Sequence, residues 1–211
     1  MVAVRRNEAD LKPLADELGP SRCMPLGVDA RKEDQVQALF DRIETLGELE
    51  VVVHNIGGNV RHDVVDTTTR VYAKVWELIG LSAFLVGREA AKRMGARQRG
   101  TIIFTGATAS TRGAAGFSAF AGGMHAKRAM AQSLAREMGP KGVHVCHVVV
   151  DGPIETKFIR GLMGDAAFEE AKTADAVLRP DDIAANYLHL ARQPRSAWTF
   201  EMDLRPWSEK F

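Results

Sequence analysis

The chain has 211 residues, 45% of them hydrophobic, enough for one domain around a large core and too few for two comfortable ones. Its 28 Lys and Arg against 27 Asp and Glu leave a formal charge of +1, which removes the electrostatic reason to expect DNA, RNA or an acidic membrane as partner. Cys23 and Cys146 fall on separate predicted strands and read as reduced thiols, no segment reaches the ~18 consecutive apolar residues of a spanning helix, and Met1–Val4 is too short for a secretion signal; a cytoplasmic protein is expected.

Met1–Val4 predicts a short strand, and Asn7 can cap a helix marked by Leu11, Leu14 and Leu18 and ended by Gly19 and Pro20. Cys23–Val28 predicts a second strand. After Asp29, the residues Val36, Leu39, Phe40, Ile43 and Leu46 mark one helix face, stopped by Gly47. Glu50–His54 has the continuous apolar run of a strand covered on both faces, and it breaks at Asn55-Ile56-Gly57-Gly58-Asn59. One long helical pattern follows from about Thr68 to Met94. Thr101–Thr105 predicts a strand running into the small, hydroxylic stretch Gly106–Thr111, and a helix runs from about Phe117 to Met138. Beyond the turn Gly139–Gly142, Val143–Val150 is the most β-favouring run of the chain. The segment after Asp151 has no definite pattern, Pro180–Asp182 opens a helix, and Trp198–Leu204 predicts a last strand. Strands alternating with helices predict an α/β fold with a parallel sheet and helices on both faces.

In such a sheet, ligands lie beyond the carboxyl ends of the strands. His54-Asn55-Ile56-Gly57 resembles the Asn-Asn-Ala-Gly turn of short-chain dehydrogenases, and Asp151-Gly152-Pro153-Ile154-Glu155-Thr156 resembles their Pro-Gly-x-x-x-Thr, with aspartate in place of the proline. Met138-Gly139-Pro140-Lys141-Gly142-Val143-His144-Val145 resembles their Leu-Gly-Pro-x-Gly-Ile-x-Val. With these pieces in order over nearly its whole length, the chain is identified as a member of the short-chain dehydrogenase/reductase family, a doubly wound Rossmann-type fold. The resemblance implies NADP(H) as cofactor and no metal. It places Asp29 and Ala30 at the adenine, Asn55, Ile56 and Gly57 along the cofactor, and Thr156 at the nicotinamide carboxamide. Arg5 and Arg6 fall where relatives meet the 2′-phosphate. Asp29 reads equally well as a helix cap, and the arginines as an exposed pair.

Two departures limit what the resemblance implies. The family's first strand, Gly-x-x-x-Gly-x-Gly turn and helix, which hold the pyrophosphate, have no counterpart here. The absent strand belongs between the strands at Met1 and Glu50; those strands are expected to pair directly, to receive another chain, or to belong to a longer protein. The second departure is catalytic. Counting back from Gly139-Pro140, the family's lysine position falls on Met124 and its tyrosine on Phe120; the serine position falls on Ala107 and the asparagine on Ile79. Lys127, seven residues after Phe120, resembles the spacing of enoyl reductases, against the reading of a solvated surface lysine; His125 reads as a surface or packing residue. Thr108 and Ser110 offer hydroxyls that turn formation explains equally well. His144 and Cys146 should face one side of their strand and His147 the other, which argues against a shared ion.

The function expected is therefore that of a short-chain dehydrogenase-like protein without family-type hydride transfer, retained for binding or assembly, with a small-molecule ligand and a second copy of the chain as partners. The alternative is an active NADP(H)-dependent oxidoreductase of a small carbonyl or alcohol. Gly122 and Gly123, two glycines inside one helix, call for a packing reason, and self-association is expected to supply it.

Overall fold

The computed structural model describes residues 1–209; Lys210 and Phe211, which end the stretch expected to form one domain, lie outside the described residues. Strand β1 (Val2–Arg5) leads through a 3-10 turn at Glu8–Leu11 into α1 (Lys12–Leu18), then β2 (Met24–Gly27) and α2 (Glu33–Glu44). β3 (Val51–His54) is followed by α3 (Thr69–Trp76) and α4 (Ser82–Arg97), then β4 (Thr101–Ala107), α5 (Ser118–Met138) and β5 (His144–Val150). The segment without a definite pattern forms α6 (Lys157–Met163) and α7 (Asp165–Thr173), after which come α8 (Pro180–Ala191) and β6 (Glu201–Leu204).

The sheet is in two parts. β1 and β2 pair in parallel, and β3, β4, β5 and β6 form a second parallel sheet in that order. Among the described residues no pairing joins β1 to β3, so the direct closure offered as one expectation does not form. One face of the larger sheet, with Ile102, Phe104 and Val145, packs on α4 and α5; the other, with Ile103, Cys146 and Val148, packs under Leu190 of α8. This is the α/β arrangement the alternation predicted. β3 departs from expectation: Val52 packs into the core with α4, but Val51 and Val53 on the opposite face are 43% and 47% exposed. An apolar run alone does not say that both faces find a cover.

The predicted helical run from Thr68 to Met94 forms without a break, with a π turn dividing it into α3 and α4. Thr68 caps α3, its Oγ1 accepting from the Val71 N–H at 3.3 Å. A π turn at Glu77–Leu81 then inserts extra backbone before α4, a local widening that apolar spacing does not reveal. Gln98, with φ of 56°, ends α4 in the left-handed region.

Gly122 and Gly123 have close neighbours inside the chain. A Cβ on Gly123 would lie 3.1 Å from both Cβ and Cδ1 of Ile79, and one on Gly122 would lie 2.8 Å from the Tyr72 hydroxyl. The two cases should separate on mutation. Gly123→Ala meets a fully buried isoleucine and should destabilise the fold by ~1–2 kcal/mol, even after the ~1 kcal/mol gain in helix propensity. Gly122→Ala meets only the end of Tyr72, itself 46% exposed, and should be neutral or slightly stabilising. Urea unfolding midpoints of the two variants check this; a Gly123→Ala chain as stable as wild type would show that α5 has room to move.

Candidate functional site at the strand exits

The carboxyl ends of β3, β4 and β5 converge below the start of α5. The π turn carries Ile79, β4 ends on Ala107, and α5 presents Phe120 and Met124 one turn apart. The structure brings all four together. They lie in one apolar cluster with Val75, Ala109 and Ala119, Ile79 fully buried and Met124 nearly so. No side chain of that cluster can exchange a proton near neutral pH.

Polar groups at the edge of the cluster are tied to one another. The Thr108 hydroxyl donates to the Asp151 carboxylate, which also pairs with Arg205 at 3.4 Å. Asp151, the residue that departs from the family's proline, thereby connects the ends of β4, β5 and β6. Ser110 Oγ accepts from the Ala107 N–H at 3.1 Å and closes the turn after β4.

The residues expected to face a cofactor are in place but partly engaged. Arg31 holds both oxygens of Asp29, at 2.8 and 2.6 Å, and this hydrogen bonding brings the Asp29 carboxyl down to about 2. Asp29 is therefore not a helix cap; the N-cap position of α2 is Lys32, with no side-chain cap. Ala30 beside it is half-buried. Arg5 and Arg6 are exposed at the end of β1, Arg5 3.8 Å from Asp10, and the charge of Arg6 reaches Asp29. Asn55 and Gly57 are exposed on either side of half-buried Ile56; the Asn55 side chain makes no hydrogen bond among the described residues and so does not tie adjacent strands. Thr156 caps α6, its Oγ1 accepting from Ile159 N–H at 3.2 Å.

A dinucleotide needs, between its two ends, converging backbone N–H groups at a helix N-terminus. None of β1, β2 and β3 runs through a glycine turn directly into a helix. The described residues thus suit the ends of such a cofactor and not its pyrophosphate. They also hold no group of three or more His, Cys, Asp or Glu arranged for a metal ion, and no helix long and apolar enough to cross a membrane. His144 and Cys146 share one face of β5, the ring of His144 stacked on Trp198 at 4.9 Å, while His147 faces α5.

A family profile described as Enoyl-(Acyl carrier protein) reductase matches residues 1–201. The chain belongs to the short-chain dehydrogenase/reductase family. A crystal structure of a short-chain dehydrogenase from Rhodopseudomonas palustris is 39% identical, covers 98% of this chain and 86% of its own, and superposes with a TM-score of 0.82. A short-chain dehydrogenase/reductase of Armillaria gallica is 30% identical over 211 residues, covering 93% of this chain and 80% of its own length. A tyrosine-to-phenylalanine variant of ElxO, described with NADPH bound, shares the fold at a TM-score of 0.85 and 18% identity, covering 96% of this chain and 85% of its own. The uncharacterized oxidoreductase YuxG of Bacillus subtilis is 28% identical over 174 residues, which are 82% of this short-chain dehydrogenase/reductase but only 25% of YuxG.

Lys127 is where the site differs most from expectation. It is fully buried, with Nζ donating to the carbonyls of Ile56 at 2.6 Å and Thr105 at 3.0 Å, so the surface reading is wrong. The signal was available: Phe120, Met124, Lys127 and Ala131 share the i, i+4, i+7, i+11 stripe that faces the core. His125, one residue off that stripe, is exposed. Burial pushes the Lys127 amine down to about 7. The unfolded chain keeps this proton up to about 10.5, so below pH 7 both states are charged and the folded state carries the full cost of a buried ammonium. Between those values only the unfolded chain stays charged, and stability should rise with pH. Lys127→Met should remove this slope: the stability gained between pH 7 and 9.5 should be ~1–3 kcal/mol larger in wild type than in the variant. Parallel profiles in urea unfolding would contradict the assignment.

Proposed function

We propose that this chain is a short-chain dehydrogenase/reductase fold that has left the family's hydride-transfer chemistry and serves in binding or assembly. The apolar cluster of Ile79, Ala107, Phe120 and Met124 carries this reading. Loss of an acid/base group alone costs ~10²–10⁴ in rate, and here the groups that would orient it are apolar as well. The ElxO variant with NADPH supports the view that a phenylalanine in place of tyrosine does not by itself prevent cofactor binding. Among the described residues no glycine turn leads from β1, β2 or β3 into a helix that could cradle a pyrophosphate.

One observation favours the competing reading of an active NADP(H)-dependent oxidoreductase of a small carbonyl or alcohol. Thr108 and Asp151, beside Ala107, put a hydroxyl and a carboxylate at the crevice. A titration followed by NADPH fluorescence and a panel of small ketones separate the two. The expected result is no saturation in the micromolar range and no NADPH consumption, for wild type and for Phe120→Tyr combined with Met124→Lys. Saturable binding with turnover would establish the active reading.

Assembly is proposed to take place through α4 and α5, where a groove of about 580 Å³ is lined by Phe84, Met130 and Leu134. Phe84, 45% exposed, is the natural contact for a second copy. Light scattering at micromolar concentration should give a mass above 23.1 kDa, and Phe84→Lys should return it to that of one chain; a wild-type monomer would end the assembly reading.

A further inference from the structure

We infer that Lys127 is a positioning residue that fixes the turn after β3, Asn55–Gly58, from beneath. Pairing between β3 and β4 stops at His54 and Phe104, so Ile56, two residues further on, has left the ladder. β4 continues to Ala107 alongside β5. The Lys127 ammonium takes over where the ladder ends, with Nζ 2.6 Å from the Ile56 carbonyl and 3.0 Å from that of Thr105. Anchoring half-buried Ile56 from the core side leaves its neighbours Asn55 and Gly57 facing outward, at the mouth where ligands of such sheets bind.

The surroundings explain why this group is a lysine with two carbonyl partners. His54 from β3 and His147 from β5 flank Phe104 in a single ladder row on the face covered by α5, and Glu201 of β6 completes that row. The row is arranged around neutral rings. Ser82 Oγ donates to the Leu78 carbonyl at 2.5 Å, so His54 Nε2–H donates to Ser82 and Nδ1 keeps its lone pair, which has no partner. His147 Nδ1–H donates to Glu201, whose carboxylate also takes both arms of Arg128, and His147 Nε2 is the bare nitrogen. Burial first, and the Lys127 charge after it, hold the His54 ring unprotonated; burial acts likewise on His147, opposed by Glu201 and aided by the charges of Lys127 and Arg128. A cation on α5 between two such rings finds its favourable contacts in the backbone carbonyls at the strand ends.

The function assigned to the turn rests on the binding half of the preceding proposal, but its geometry can be tested without a ligand. In 15N relaxation on the apo chain, Lys127→Met should lower the order parameters of Ile56, Gly57 and Gly58 from the rigid range of about 0.85 towards about 0.6. His54 and His147 should titrate at higher pH in the same variant, which loss of packing alone would not cause. Met138→Ala removes a buried side chain from the far end of α5 and should leave the turn and both histidines unchanged. In wild type, the Lys127 Nζ protons should exchange slowly with water, a measurement that stands even if the methionine variant fails to fold. An unchanged turn in Lys127→Met, an equal loosening in Met138→Ala, or fast exchange at wild-type Nζ would overturn the assignment. Titration of both chains with NADPH is a separate arm: absence of binding in both, together with a loosened turn, would end the binding reading and leave the positioning role intact.

Discussion

A Cβ on Gly123 would stand 3.1 Å from Ile79, one on Gly106 would stand 2.4 Å from His147 Nε2, and one on Gly87 would stand 3.0 Å from the ring of Phe104. Gly123 sets how closely α5 lies on the π turn and Gly87 how closely α4 lies on β4, while Gly106 leaves room within the sheet for the His147 ring. Close-packed interiors leave no slack to absorb an extra methyl at such points. The depth of α5 in turn decides what its residues reach: Phe120 and Met124 meet Ile79 and Ala107 in an apolar contact, and Lys127, one turn further along, reaches the backbone of β4 and of the turn after β3.

The crevice is not poor in polar groups, but most of them are already bound to each other. Asp29 is held by Arg31, Asp151 by Thr108 and Arg205, Thr156 by the first turn of α6, and Lys127 by two carbonyls. A group that spends its hydrogen bonds on the fold must give them up before it can serve a ligand, and a buried partner left behind costs ~1–3 kcal/mol. The pattern is that of a rigid mouth rather than a reactive one. Its outward-facing positions, Asn55, Gly57, Arg5 and Arg6, are those without such strong internal ties.

Much of this was legible in the sequence because it depends on local pattern. The strand and helix order follows from apolar spacing and from turn residues such as Gly139-Pro140-Lys141-Gly142, and the one-turn spacing of Phe120 and Met124 follows from counting along an unbroken helix. What was not legible depends on side-chain contacts and backbone geometry that apolar spacing does not encode, whether near or far in sequence. Nothing local distinguishes a capping Asp29 from one held by Arg31, and the π turn at Glu77–Leu81 leaves the run of helix-favouring residues uninterrupted. Lys127 was misread through residue type, since lysines are rarely buried, although its place on the apolar stripe pointed inward. The need for packing at Gly122 and Gly123 was anticipated but not the residues that meet them, Tyr72 and Ile79, because a sequence shows that a helix is thin at one point but not what lies against it.

The division of the sheet bears on how the molecule comes apart. β1 and β2 pair with each other, and α2, which follows them, packs against α4. With no backbone ladder across the seam, little forces the two parts to open together. The N-terminal unit is expected to open first, its β1 and β2 amide protons exchanging at a lower opening free energy than those of β3–β6.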